Sequence, residues 1–220
     1  MNLVLASASP RRRELLTQAG FTFQVHPARI PEDPLPSEDP IAYVVRLARQ
    51  KAEAVLARLS SKESAPPQVP GAPGLAFETW ESTNSDIPPL TVLGADTTVT
   101  IDNLILAKPE DPADAARMLR LLSGRTHRVI TGIAVVTAAH TEVAAEVTGV
   151  RFLTLSEEEI AAYIATGEPM DKAGAYAIQG RAARWIPRIT GDYFNVVGLP
   201  LALVTTMLEA IGIDSTSLSS

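Results

Sequence analysis

Thr126-His127-Arg128-Val129-Ile130-Thr131-Gly132-Ile133-Ala134-Val135-Val136-Thr137 is followed by a polar tip, Ala138 to Glu142, and then by Val143 to Leu155. Both flanks are rich in Val, Ile and Thr, which suit a pleated surface, so the stretch predicts two long antiparallel strands. At the N-terminus the pattern changes. Leu3 to Ala6 is a short apolar run suited to a buried strand, and Ser9-Pro10 then opens a helix with an N-cap hydroxyl and a proline at the first helical position, closed by Gly20. A βα unit combined with a long hairpin argues against a purely parallel sheet. The expected fold is therefore α/β with an elongated mixed sheet flanked by helices.

Working outward, Phe21 to Val25 reads as a second strand. Asp39-Pro40 repeats the cap-and-proline signal before Ile41, Val44, Val45, Ala48, Ala52, Val55, Leu56 and Leu59, which recur at helical spacing. Thr91 to Ile101 reads as a strand that Asp102-Asn103 turns into Leu104 to Ala107, a hairpin. Asp111-Pro112 caps a helix over Ala113 to Leu122, and Ser156 with Glu159 forms a capping box for a helix reaching Thr166. Asp171 to Gly191 is glycine-rich with short strand-like runs, and Leu199 to Ile211 is a final amphipathic helix. Ser60 to Pro89 stands apart: six prolines among Ser, Gly and Gln predict a flexible insertion without chemistry, within one domain over residues 1–220.

Composition narrows the function classes. Of 220 residues, 19 are Lys or Arg and 25 are Asp or Glu, a net charge of −6 that opposes a nucleic-acid partner. Cysteine is absent, which excludes disulfides, thiolate catalysis and sulfur-ligated metals, and His26, His127 and His140 are too scattered for a histidine metal site. No basic leader precedes an apolar stretch and no run approaches the roughly 18 apolar residues of a membrane span, so a cytoplasmic protein without a membrane partner is expected.

Four clusters offer chemistry. Ser7-Ala8-Ser9-Pro10-Arg11-Arg12-Arg13 joins two hydroxyls and three arginines to a helix N-terminus, which suits a polyphosphate; a plain cap followed by a solvated basic turn fits equally well. Asp96, within Gly94-Ala95-Asp96-Thr97-Thr98-Val99, is set among apolar and β-branched neighbours where burial tunes an acid for base or metal work, although a turn residue fits too. Glu32, Lys51 and Lys108 lie beside apolar segments. Surface roles are the ordinary reading for Glu32 and Lys51, whereas Lys108-Pro109 at a strand end aims a single cation. Thr166 to Gly180 is dense in small residues around isolated charged and amide groups, as in loops that approach a ligand.

Taken in order, these motifs resemble the Maf family of nucleoside triphosphate pyrophosphatases, in particular its dTTP/UTP branch. The resemblance rests on Ser7-Ala8-Ser9-Pro10-Arg11-Arg12, Tyr43 to Ala52, Gly94-Ala95-Asp96-Thr97, Ala107-Lys108-Pro109, Leu122 to His127, Thr166-Gly167-Glu168-Pro169, Asp171 to Tyr176 and Val196 to Leu201. It covers nearly the whole chain except Ser60 to Pro89. The resemblance implies a fold like that of the inosine triphosphate pyrophosphatases, with two lobes around a cleft. It also implies hydrolysis between the α and β phosphates with a divalent cation, Mg²⁺ or Mn²⁺. By the family pattern Asp96 is the proton acceptor, and Ser7, Ser9, Arg12, Arg13, Glu32, Lys51 and Lys108 handle phosphate and metal, with Glu32 and Asp96 the metal carboxylates. Base choice in the family tracks the positions occupied here by Arg11, Thr97 and Gln179, which carry the pyrimidine pattern; the Gln179 amide both donates and accepts, as the O4/N3–H edge of uracil or thymine requires. Ala177 replaces a glycine common in the family, which is acceptable at negative φ. The family often forms dimers, so a homodimer is an expectation. The competing reading is a nucleotide-binding regulator of cell division without turnover, which the family's link with septum formation permits; a third is a scavenger of modified pyrimidine triphosphates.

Overall fold

The computed structural model describes residues 3–63 and 89–215, so most of the expected insertion, including Phe77 and Trp80, lies outside the described residues. In chain order the elements are β1 (Leu3–Leu5), α1 (Pro10–Gln18), β2 (Gln24–Val25), α2 (Pro40–Glu63), β3 (Thr91–Ile101), β4 (Leu104–Leu106), α3 (Pro112–Leu122), β5 (Thr126–Val136) and β6 (Thr141–Arg151). Then follow α4 (Glu157–Ile164), three short 3₁₀ turns (Glu168–Asp171, Ala173–Ala175 and Arg181–Trp185), β7 (Arg188–Thr190), α5 (Tyr193–Val197) and α6 (Leu201–Glu209).

The strands form one mixed sheet in the order β2-β1-β3-β5-β6-β7, with β4 paired to the far half of β3. β1 runs parallel to β2 and β3, and every other pairing is antiparallel. The hairpin β5–β6 pairs in register from Thr126↔Arg151 to Val136↔Thr141. β6 stops at Arg151 rather than Leu155, because the Phe152 and Leu153 amides turn to the Arg125 and Trp185 carbonyls. The expected mixed α/β architecture is what the chain forms.

Alternation along β3 sends its side chains to two different cores. Val92, with Ala134 and Val136 of β5, packs under Ala48, Ala52 and Val55 of α2. On the opposite face Leu93, Ala95, Ile133 and Val135 meet Leu15 and Leu16 of α1 and Val204, Met207 and Leu208 of α6. Further along that face Val99, Ile101 and Val129 meet α3, α4 and the aromatics Phe152, Tyr163, Tyr176 and Trp185, the core of a second lobe. Full burial of each large side chain contributes about 1.5–3 kcal/mol to holding these cores together.

Two glycines let α2 lie directly on the sheet. A Cβ on Gly94 would sit 2.1 Å from the Ala48 carbonyl oxygen, and one on Gly132 would sit 2.4 Å from the Val44 carbonyl carbon. Only glycine permits so close a backbone approach. Gly132 is also the register partner of Asp96, so one of these two close contacts between helix and sheet falls beside that acid.

The caps follow the sequence. Ser9, Asp111 and Ser156 accept from helix amides, the Ser156–Glu159 capping box is complete, and Asp39 Oδ1 accepts from Ile41 and Ala42. Asp102 and Asn103 both take positive φ, as a tight hairpin turn needs. Some boundaries differ from expectation. α2 continues through Ser60 to Glu63, and α6 is shorter than expected. β2 is two residues long because Phe21 turns into the α1–α6 core. In the 171–191 segment only Arg188–Thr190 is strand, since Gly174 and Ala175 both take positive φ and the chain coils into 3₁₀ turns instead. α5 is a short helix that periodicity did not signal.

Candidate active site

β1 pairs with β3 only as far as Leu93, and β4 only from Val99 onward. On that edge of β3 the residues between have no strand partner among the described residues, and the chains leaving β1 and β4 turn away there. Ligands of open α/β sheets bind where neighbouring connections diverge in this way. The opening leads to a cavity of about 1030 Å³ lined by Ser7 and Ser9, by Glu32, Lys51, Asp96 and Lys108, and by the far wall from Asp171 to Gln179.

Its centre is an ionic triad. Lys51 Nζ, from α2, lies 2.6 Å from Asp96 Oδ1 and 2.6 Å from Glu32 Oε1. Asp96 is buried, and desolvation lifts its carboxyl above the usual carboxylate range even though Lys51 and Arg12 pull the other way. Burial also acts to raise Glu32, but the Lys51 hydrogen bond and the charges of Lys51, Lys108 and Arg12 outweigh it, leaving Glu32 below its ordinary value. Two carboxyl groups sharing one ammonium are thus pushed in opposite directions, Asp96 toward a proton acceptor and Glu32 toward a permanent anion. No hydrogen bond from a described residue reaches Asp96 Oδ2. Tyr43, another residue of α2, donates its hydroxyl to the Glu32 carbonyl at 2.8 Å and so holds the Glu32 loop; its phenol is pushed up to about 12 by burial and by Asp96 and Glu32.

Arg12 fastens the cleft from beneath. Its Nε donates to the Gly198 carbonyl (2.8 Å), Nη1 to the Ala95 carbonyl (2.8 Å) and Ser7 Oγ (3.2 Å), and Nη2 to Thr97 Oγ1 (2.8 Å). Four of its five N–H groups are committed to the protein, leaving one for a ligand. Ser7 Oγ accepts from Arg12 and from the Ser9 amide (3.2 Å), so its own hydroxyl proton is left to donate into the cavity. Thr97 Oγ1 is held by Arg12, lies 2.9 Å from Thr131 Oγ1, and reaches the Gly198 carbonyl at 3.5 Å.

Across the cleft, Arg11 and Gln179 line the cavity, and the Gln179 amide makes no hydrogen bond to a described residue. Arg11 acts electrostatically on Asp171 and on the Tyr163 hydroxyl, whose oxygen accepts from the Ala177 amide two residues before Gln179. Lys108 is exposed at the cavity rim, and Lys172 adds a cation to the far wall beside Asp171.

The sequence profile described as Maf-like protein matches residues 2–211. The chain belongs to the Maf family. It is 48% identical over 213 residues to a dTTP/UTP pyrophosphatase of Koribacter versatilis, covering 97% of this chain and 96% of the relative. It is 47% identical over 214 residues to one of Moorella thermoacetica and 48% over 212 residues to one of Geobacter metallireducens, covering 96% of both chains in each comparison.

Of the residues singled out from the Maf motifs, Ser7, Ser9, Arg11, Arg12, Glu32, Lys51, Asp96, Thr97, Lys108 and Gln179 all line the one cavity. Arg13 does not: it is exposed and off the lining, because successive residues of α1 rotate by about 100° and Arg12 and Arg13 face different ways. Ala177 is absent from the positive-φ residues, so the alanine is accommodated. Tyr43 and Lys172 also line the cavity, beyond the site residues that the sequence predicts. Tyr43 follows helical spacing back from Lys51, eight residues on, and that shared helix face was the available signal. The fold alone brings the Lys172 segment beside Lys108, through the Gly174 amide donating to the Ala107 carbonyl at 3.1 Å. Among the described residues no group of three His, Asp or Glu forms a metal cage, and no helix is long and apolar enough to cross a membrane.

Proposed function

We propose that this protein hydrolyses dTTP and UTP between the α and β phosphates to the nucleoside monophosphate and pyrophosphate. The observation that carries the proposal is the triad in a cavity that Arg11 and the uncommitted Gln179 amide also line. The names of the relatives point to the same reaction.

Asp96 has the properties of a general base: burial raises its basicity, Lys51 fixes Oδ1, and Oδ2 is available to take a proton from water attacking the α phosphorus. As the new O–P bond forms, the bond to the bridging oxygen breaks and pyrophosphate leaves. Ser7, the α1 amides, Lys108 and Lys172 line the cavity that would hold the phosphates. Arg12, already engaged with the protein, orients this shell and spares one N–H for phosphate. The donor set fits a divalent cation of the Mg²⁺ or Mn²⁺ type: Glu32 and Asp96 offer two hard carboxylates, too few for a protein-only cage but suited to a cation shared with phosphate oxygens. Such a cation, when bound, offsets charge on the phosphates. Gln179 and Arg11 would select the pyrimidine, with Thr97 acting through the packing of Arg12, since its hydroxyl is already engaged. The reading includes a cytoplasmic setting and a homodimer.

Pyrophosphate release from dTTP, UTP, CTP, GTP and ATP with Mg²⁺ tests the assignment. dTTP and UTP should be preferred, and Asp96→Asn should lower turnover by about 10²–10⁴-fold with the fold intact. Binding without turnover would favour the regulator reading, and faster hydrolysis of purines would remove the pyrimidine assignment.

A further inference from the structure

Gln179 stands in a turn closed by the Gly180 amide donating to the Ala177 carbonyl at 3.0 Å, with Ile178 and Gln179 at its centre. The turn is fastened on both sides. Before it, Tyr176 OH lies 2.7 Å from the buried His127 Nε2. Tyr163 OH accepts from the Ala177 amide at 3.3 Å and donates to Glu168 Oε1 at 2.8 Å. After it, the Glu168 carboxylate accepts from the Arg181 amide at 3.0 and 3.2 Å. Tyr163 is itself locked, 1% exposed and edge-on to Trp185 with ring centroids 5.1 Å apart.

Gly180 explains how the carboxylate comes so near. A Cβ there would fall 1.8 Å from Glu168 Oε1, although φ is −107°, a value any residue adopts. The glycine is therefore required by the carboxylate and not by the backbone. With no partner of its own among the described residues, the Gln179 amide takes its direction from this frame.

We propose that Glu168 and Tyr163 are positioning residues for base selection: they set the turn that aims Gln179 at the pyrimidine edge. The inference rests on the pyrimidine triphosphate reading above. A side-chain amide discriminates bases only if its donor and acceptor ends are held in place, since a free amide presents either end. Glu168 is not among the residues lining the cavity, so its loss should appear in base choice before it appears in chemistry.

The test compares wild type with Glu168→Ala, Tyr163→Phe and Gly180→Ala. Affinities for non-hydrolysable α,β-methylene analogues of dTTP and CTP are measured by calorimetry with Mg²⁺, alongside kcat and KM for dTTP and CTP. Glu168→Ala should lower the dTTP-over-CTP preference at least tenfold, with KM for dTTP rising and kcat within about threefold of wild type. Gly180→Ala should reproduce this by displacing the carboxylate, which keeps the test alive if Glu168→Ala fails to fold. Tyr163→Phe should cost less, since the Glu168 bonds to Arg181 survive. Hydrogen exchange should quicken at residues 177–181 in all three. A Glu168→Ala or Gly180→Ala variant that keeps the preference within twofold overturns the proposal, as does a wild type without preference. A wild type that binds the analogues but releases no pyrophosphate removes the hydrolase reading while the affinity ratio still decides the positioning role; one that binds neither analogue removes both.

Discussion

Replacing Lys51 by methionine retains an unbranched side chain on α2 and removes the charge that Asp96 and Glu32 share. Lys51 is 9% exposed and Asp96 7%, with the ammonium 2.6 Å from each carboxylate. Removing one partner of a buried pair costs about 3–5 kcal/mol when the survivor must stay charged. Glu32, half exposed, is screened by water and adds little. Asp96 has an escape, because it can take up a proton. Burial already holds its carboxyl above the usual range, and loss of Lys51 lifts it further. A carboxyl raised on folding favours the native state below its unfolded value and opposes it as pH climbs through the native value. The variant's deficit should therefore grow with pH, by up to about 1.4 kcal/mol per unit between the Asp96 pKa of wild type and that of the variant. Urea unfolding at pH 5, 6, 7 and 8 reads this directly. The expected loss is about 3 kcal/mol at the alkaline end of this range and smaller at the acid end. Equal losses at pH 5 and pH 8, or a loss under about 0.5 kcal/mol throughout, would refute the assignment of Lys51 as the counter-charge of a buried acid.

Two further outcomes follow from the same geometry. Gly94→Ala places a methyl where the Ala48 carbonyl now lies, so α2 must lift from the sheet; stability should fall by about 1–3 kcal/mol or more and kcat with it as Lys51 leaves Asp96, whereas an unchanged urea midpoint would contradict the close approach. Chelation of divalent cations should abolish pyrophosphate release while moving the Tm by less than about 1 °C, because Lys51 already pairs with both carboxylates without metal; a large fall in Tm would mean that the protein alone holds a metal tightly.

Much of the molecule is legible in its primary structure because the signals are local. Alternating β-branched residues mark Thr126–Val136, Ser9-Pro10 and Asp111-Pro112 mark helix starts, and Asp102-Asn103 marks a turn, each through forces acting within a few residues. The site motifs are legible too, as an ordered set of hydroxyls, cations and two acids. Two placements needed more than the order of residues. Arg13 belongs to the same basic run as Arg12 but faces outward once the helix forms. The 171–191 segment coils because Gly174 packs against Val99 of β3, where a Cβ would meet it at 2.8 Å.

From residue order alone come the mixed α/β class, the caps and the inventory of groups that could meet a triphosphate. Packing supplies what those groups become. Gly94 and Gly132 admit α2 to the sheet, and only that approach joins Lys51 to an acid 45 residues away. Burial then raises Asp96 while charge lowers Glu32, and Arg12 changes from a candidate phosphate ligand into a brace with one N–H to spare. Desolvation and long-range contact depend on where other parts of the chain lie, so no window of neighbouring residues contains them.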